Sequence, residues 1–390
     1  TPRPGFGVRD AVVEPAERES FLRANAAFSL DLYARLRVRE GNLVCSPLGV
    51  SVVLGMLAEG ARGGTREEIL AALRQELPPD RVGPAFQSVL ADLAPGKKGW
   101  IRLSAVNGLW TARGLPFDPE FLRDLRTRFG ARAEERDFEA DPEGARRAIN
   151  RWAERRTGGR IPDLFAPGDI HTLTAFVVAD ALHFEGKWAT PFRKESTADL
   201  PFHLAGGGTV TVPTMRMDGP LAWYRGEGFQ AVDLPYRGEE VSLTLLVPDE
   251  VDGLPALEES LTAEGLDEWI AGLRRERILL RLPRFTANSA FDLEDPLRAL
   301  GMETAFVKEV ADFSGAAGVP GEVFLQVMKQ KALIAVDETG TSASAVTGGG
   351  AGATSAPPVV FADRPFLFLL RHRETGTLLF MGRVANPKLD

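Results

Sequence analysis

The amino-acid sequence predicts an α+β fold, on three observations. Helical periodicity fills most of the chain up to Arg160, strand patterns dominate from His171 onward, and no proline-, serine- or charge-rich linker divides the two. Helices grouped ahead of strands argue against a repeating βαβ unit. A bare length prior would allow 390 residues two or three domains. No linker marks such a division, and 44% hydrophobic with 26% charged residues describes an ordinary globular protein able to bury a large core.

Residues 1–17 have poor periodicity and read as an N-terminal extension ahead of a domain over 18–390. From Phe21 to Leu36, Phe28, Leu32 and Leu36 recur four apart, an amphipathic helix. Ser46-Pro47 predicts an N-cap with proline in the first turn, followed by Val50, Val53, Leu54 and Leu57 on one face. Thr65-Arg66-Glu67-Glu68 is spaced as a capping box. Helical patterns continue to Phe129, broken by a strand around Ala105 to Trp110, and resume from Ala145 to Arg156. Strands are then expected at Phe176-Val177-Val178, Thr209 to Val212, Val241 to Val247 and Ile278 to Leu282, with a helix from Leu257 to Leu273. Gly206-Gly207-Gly208 marks a hairpin turn.

Composition excludes several functions. A net charge of −8 and a pI near 5.3 do not suit a nucleic-acid partner, and the densest basic run, Arg151 to Arg160, is interrupted by glutamate and spread by helical spacing. No apolar run approaches the ~20 residues needed to span a bilayer. The chain starts Thr1-Pro2-Arg3-Pro4, so either a leader has been removed or the chain has been trimmed; export and a cytoplasmic location both stay open, with export slightly favoured. One cysteine, Cys45, excludes an internal disulfide, and arginine far outnumbers lysine, which points to a GC-rich bacterial source.

Enzyme chemistry finds no footing. His171, His183, His203 and His372 lie in no metal-ligand spacing. Ser314 lacks the glycine two residues before it that a nucleophile elbow needs. The glycines within 348–352 open no Lys-Ser/Thr phosphate cradle, and Cys45 sits among apolar neighbours as a core thiol. No catalytic residue, metal or cofactor is expected.

The segment from Glu338 to Ser355 stands apart. After Glu338 it carries no charge, no proline and no large side chain, and strand-like sequences flank it on both sides. A flexible linker would tolerate lysine, glutamate and proline. Their absence suggests a segment that must at times enter a sheet, where proline removes a ladder bond and a buried charge costs several kcal/mol.

Here the chain resembles the serpin family. Asp337-Glu338-Thr339-Gly340-Thr341 and the small residues after it are similar to the serpin reactive-loop hinge. Phe361-Ala362-Asp363-Arg364-Pro365-Phe366-Leu367-Phe368 and Gly376 to Pro387 are similar to the C-terminal signature. Likeness continues in Asn42 to Leu48, Ile149-Asn150-Arg151-Trp152, Thr157 to Leu164, Phe184-Glu185-Gly186-Lys187-Trp188, Asp233-Leu234-Pro235-Tyr236 and Leu282-Pro283-Arg284-Phe285. These matches run in family order from about Phe28 to Pro387.

The resemblance implies a single-domain serpin fold: a helix-rich N-terminal half, a large central sheet of five strands with Trp188 near its upper end, smaller sheets, and a reactive loop over about 338–358. It implies a monomer that traps serine proteases as a covalent acyl complex, with no nucleic-acid or membrane partner. Family loop length, anchored downstream at Pro357-Pro358, places the scissile bond at Thr354–Ser355. Glu338, Gly340, Thr341, Ala343 and Ala345 match the loop hinge, and Thr341, Ala343, Ala345 and Thr347 share one face at period two. Trp188 and Arg284 match sheet-top contacts of the hinge. Ser46, Asn107, Asp180 and Gln330 match the mid-sheet cluster, with three departures: Gly49 for a second serine, Asp180 for asparagine and Gln330 for histidine. Gly348-Gly349-Gly350 departs too, since each glycine weakens a strand by roughly 0.5–1 kcal/mol. The alternative is a non-inhibitory serpin acting as a binding or chaperone-like protein, for which large or proline hinge residues would be expected.

Overall fold

The computed structural model describes residues 11–93, 100–341 and 357–388. Helices α1 (Pro15–Leu36), α2 (Pro47–Gly60), α3 (Gly63–Ala72), α4 (Pro79–Asp92), α5 (Pro119–Arg128) and α6 (Pro142–Arg156) belong to the first half; α7 (Leu254–Glu259), α8 (Ala263–Gly272) and α9 (Glu294–Arg298) come later.

The main sheet runs β10 (Phe285–Asp292), β11 (Val327–Asp337), β12 (Gly340–Thr341), β4 (Phe176–Lys187), β2 (Ile101–Ala112) and β3 (Arg132–Arg136). β12 is a two-residue wedge, so five full strands remain, with β11 and β4 paired directly and parallel from Val327↔Val177 to Leu333↔His183. The other sheet runs β1 (Leu43–Cys45), β15 (Leu378–Val384), β14 (Phe366–His372), β8 (Val241–Pro248), β7 (Phe229–Pro235), β6 (Thr209–Gly226), β9 (Arg274–Pro283) and β13 (Val359–Phe361), with β5 (Ala198–His203) also on β6. The expected smaller sheets are thus hydrogen-bonded into one through β6, which pairs with β5, β9 and β7 in turn.

Alternation along β4 places it between two layers. Val177, Ala179 and Ala181 pack with Ile149 and Ala153 of α6 and with Trp110. Phe176, Val178, Leu182 and Phe184 face the larger core with α2. α2 is apolar around nearly its whole circumference, as a helix buried behind a sheet must be.

Some elements differ from expectation. α1 starts at Pro15 rather than Phe21, because Glu14 and Glu17 form a reciprocal cap ahead of the apolar stripe. Thr65 caps nothing: α3 starts at Gly63, and the Thr65 hydroxyl instead accepts from the Asp312 amide at 3.0 Å. The helix expected from Leu257 to Leu273 is two, because Thr262 N-caps α8 through the Gly265 amide. Ser46 does cap α2, accepting from the Gly49 amide at 3.1 Å. Gly206, Gly207 and Gly208 turn β5 into β6 with φ of 75°, 104° and 90°, conformations that favour glycine.

Candidate functional site

The ends of β11 and β4 diverge, and the chain turns back between them. Asp337 makes that turn. Its Oδ1 accepts from the Thr339 amide at 2.7 Å, the Thr339 hydroxyl at 2.6 Å and the Gly340 amide at 3.3 Å, the local bonding for which aspartate suits turns. Gly340 and Thr341 then pair antiparallel with both neighbours: Thr341 lies opposite Val336 of β11 and Gly186 of β4. Gly340 has φ 150°, and a Cβ there would fall 1.9 Å from the Gly186 carbonyl oxygen. Only glycine fits this approach.

Three contacts fasten the turn. Arg284, just after β9, donates from Nε to Glu338 Oε1 at 2.9 Å and from Nη2 at 2.6 Å, and the Thr197 hydroxyl donates to the same carboxylate at 2.5 Å. Burial alone would raise the Glu338 pKa, but these hydrogen bonds outweigh it and hold the carboxyl below its ordinary range. Trp188 donates from Nε1 to the Asp337 carbonyl at 2.9 Å and from its amide to the Thr339 carbonyl at 3.0 Å. Tyr236 stacks on Trp188 at 4.4 Å, and its hydroxyl shares a 2.6 Å bond with the Thr341 hydroxyl, both side chains fully buried.

Lower in the sheet, Asp180 of β4 lies opposite Gln330 of β11 and Asn107 of β2. Gln330 Oε1 accepts from the Ser46 amide at 3.0 Å, while Nε2 donates to the Ser46 carbonyl at 2.8 Å and to Asp180. The Ser46 hydroxyl reaches the Leu379 carbonyl at 2.8 Å, tying the cluster to β15.

The structure therefore brings Glu338, Arg284, Trp188, Gly340 and Thr341 together at one end of the main sheet, and Ser46, Asn107, Asp180 and Gln330 together in its middle. Ala343, Ala345, Thr354 and Ser355 lie outside the described residues. Sequence reasoning missed Tyr236 and Thr197. Tyr236 stands in the Asp233-Leu234-Pro235-Tyr236 motif, but nothing local ties it to a threonine 105 residues later. Cys45 is fully buried, and burial pushes its thiol pKa up. Among the described residues, no group of His, Cys, Asp and Glu is arranged to hold a metal, and no helix is long and apolar enough to cross a membrane.

A family model described as Serpin (serine protease inhibitor) matches residues 23–387. Among curated relatives, the leukocyte elastase inhibitor of Bos taurus is 35% identical over 381 residues, covering 95% of this chain and all of that one. An uncharacterized serpin-like protein of Thermococcus kodakarensis is 34% identical over 383 residues, covering 97% and 88%. Among solved structures, a highly specific serpin of the insect Tenebrio molitor aligns with TM-score 0.86 and 28% identity over 97% of this chain and 100% of its own. Uncleaved ovalbumin aligns with TM-score 0.87 and 27% identity over 93% and 99%.

Proposed function

The chain belongs to the serpin family of serine protease inhibitors, which are not enzymes, and from that premise we propose that it acts by suicide trapping. A serine protease attacks the carbonyl of Thr354, its serine becomes acylated, and the amine of Ser355 leaves. The freed loop then enters the main sheet between β11 and β4 and carries the acylated protease with it. Serpins are the standing example of such insertion.

One observation carries this reading: β12 is already a strand start, seated between β11 and β4 and antiparallel to both. Continuing its register by six residues moves Thr341 opposite Gly186 and Val336 to Thr347 opposite Asp180 and Gln330. The residues sharing that face, Thr341, Ala343, Ala345 and Thr347, are all small, so they enter the core side without overpacking it. A full strand adds roughly 14 ladder bonds at about 0.5–1.5 kcal/mol net each, on the order of 10 kcal/mol. No large or proline residue stands in the hinge, which disfavours the non-inhibitory reading.

Target choice follows from Thr354, with Gly352 and Ala353 before it. A small uncharged side chain suits elastase-like or subtilisin-like enzymes, and a tolerant chymotrypsin-like one. A trypsin-like pocket needs lysine or arginine opposite its acid, and Arg364 lies beyond the loop. The expected result is an SDS-stable complex with pancreatic elastase or subtilisin and none formed rapidly with trypsin. Turnover of these proteases' substrates undiminished at molar excess of this protein, with no complex on the gel, would contradict the reading.

A further inference from the structure

The strands that must part for insertion are joined at mid-sheet by side chains as well as by their ladder. Asp180 and Gln330 are register partners on parallel strands, bonded Nε2 to Oδ2, and the same amide is clamped twice to Ser46. α2 presents Gly49 to this carboxyl: a Cβ at residue 49 would lie 2.4 Å from both of its oxygens. The three departures seen in the sequence are thus one matched set, since the room Asp180 occupies exists only because residue 49 has no side chain. Asp180 meets Gly49 of α2 and Gln330 of β11 and lies in register with Asn107 of β2, and none of these is charged. Strand alternation sends Lys329 and Lys331 to the opposite face, where Lys329 meets Asp169 at 2.7 Å and Lys331 the Asp163 carbonyl at 3.1 Å. His183 lies on that opposite face as well, 3.2 Å from Glu185.

We propose that Asp180 is a proton-operated positioning residue on this seam: the closed, dry seam accommodates it as a neutral carboxyl, whereas the carboxylate, favoured by the Gln330 amide but stripped of water, favours parting of β4 from β11. The idea rests on the insertion reading, because insertion is what requires the seam to open. Its physical basis is the dry site. Burial pushes the Asp180 pKa up from 3.8, and the Gln330 hydrogen bond only partly offsets this, leaving it at about 7. Once the strands separate, water reaches the group and its pKa falls back toward the ordinary value. The closed seam therefore binds the proton more tightly than the open one. Its stabilisation by this group is complete below the ordinary carboxylate pKa and is lost as pH rises through about 7.

The test is hydrogen exchange, by mass spectrometry, of the paired segments 177–183 and 327–333 in the intact protein at about pH 5.5 and about pH 8. After correction for intrinsic exchange, wild-type protection should fall by up to roughly thirtyfold across this range, since each of the about 1.5 pH units below the folded pKa changes opening by up to about tenfold. Asp180→Asn, which keeps the shape and cannot ionise, should flatten the profile; a purely structural role would shift its level and leave its slope. Parallel profiles in the two proteins, or no fall in wild type, would overturn the proposal. Should Asp180→Asn fail to fold, infrared titration of wild type takes its place: a protonated carboxyl band disappearing near neutral pH is expected, and its absence overturns the idea. Complex formation with elastase, measured in parallel, separates the two readings. A flattened profile without any complex supports the seam residue and defeats trapping, whereas complexes with parallel profiles do the reverse.

Discussion

On the trapping proposal, Thr341→Arg is expected to convert the protein from an inhibitor into a substrate. Thr341 is 1% exposed, wedged between β11 and β4 with its hydroxyl on Tyr236. An arginine there must either bury an unpaired guanidinium, at a cost of several kcal/mol, or keep the hinge out of the sheet. A penalty of about 3 kcal/mol slows insertion roughly 100-fold. Hydrolysis of the acyl-enzyme then wins the race, so cleavage at the loop continues while SDS-stable complex falls below about a tenth of the wild-type yield. The check is a gel and active-site titration of the two proteins side by side. Wild-type complex yield from Thr341→Arg would remove the hinge from the mechanism.

The second large effect is expected from Arg284→Ala. Glu338 is 2% exposed, and its carboxylate is held by Arg284 and Thr197. Removing the arginine leaves a buried charge with its main partner gone. A fully buried pair broken this way loses about 3–5 kcal/mol; the Arg284 side chain is 45% exposed, which reduces the expected loss to about 1–2 kcal/mol. The pH sign is the reverse of that for Asp180. Glu338 has a folded pKa below its ordinary 4.5, so its stabilisation is present above that value and is lost as pH falls through the folded one. Thermal midpoints of wild type and Arg284→Ala should differ at pH 7 and converge on acidification toward pH 3. A gap that persists unchanged in acid would show that Arg284 acts through packing and not through the ion pair.

Much of this was legible in the sequence, for identifiable reasons. Glu338, Arg284 and Trp188 sit in short motifs whose order along the chain is itself informative, and the small-residue loop is a compositional anomaly that needs no contact map. Helix starts with local chemistry, such as Ser46-Pro47, are readable because the capping hydroxyl and the amide that donates to it lie three residues apart. What escaped depended on distant partners. Thr65 has the spacing of a capping box, yet Asp312, far along the chain, takes its hydroxyl. Tyr236 and Thr341 meet only because the chain turns back at Asp337. Gly49, Asp180 and Gln330 are three separate departures in the sequence, and only the structure shows that the Asp180 carboxyl fills the space a side chain at residue 49 would need and bonds Gln330.

The central claim is that the cleaved loop becomes a new strand between β11 and β4. Its most direct test compares thermal unfolding of intact protein with protein nicked within residues 342–356 by a metalloprotease, which forms no acyl-enzyme and leaves the cleaved chain free. Adding a strand worth on the order of 10 kcal/mol should raise the midpoint by roughly 10 °C or more for a chain of this size. A nicked protein that unfolds at the same temperature as the intact one, or below it, would contradict insertion.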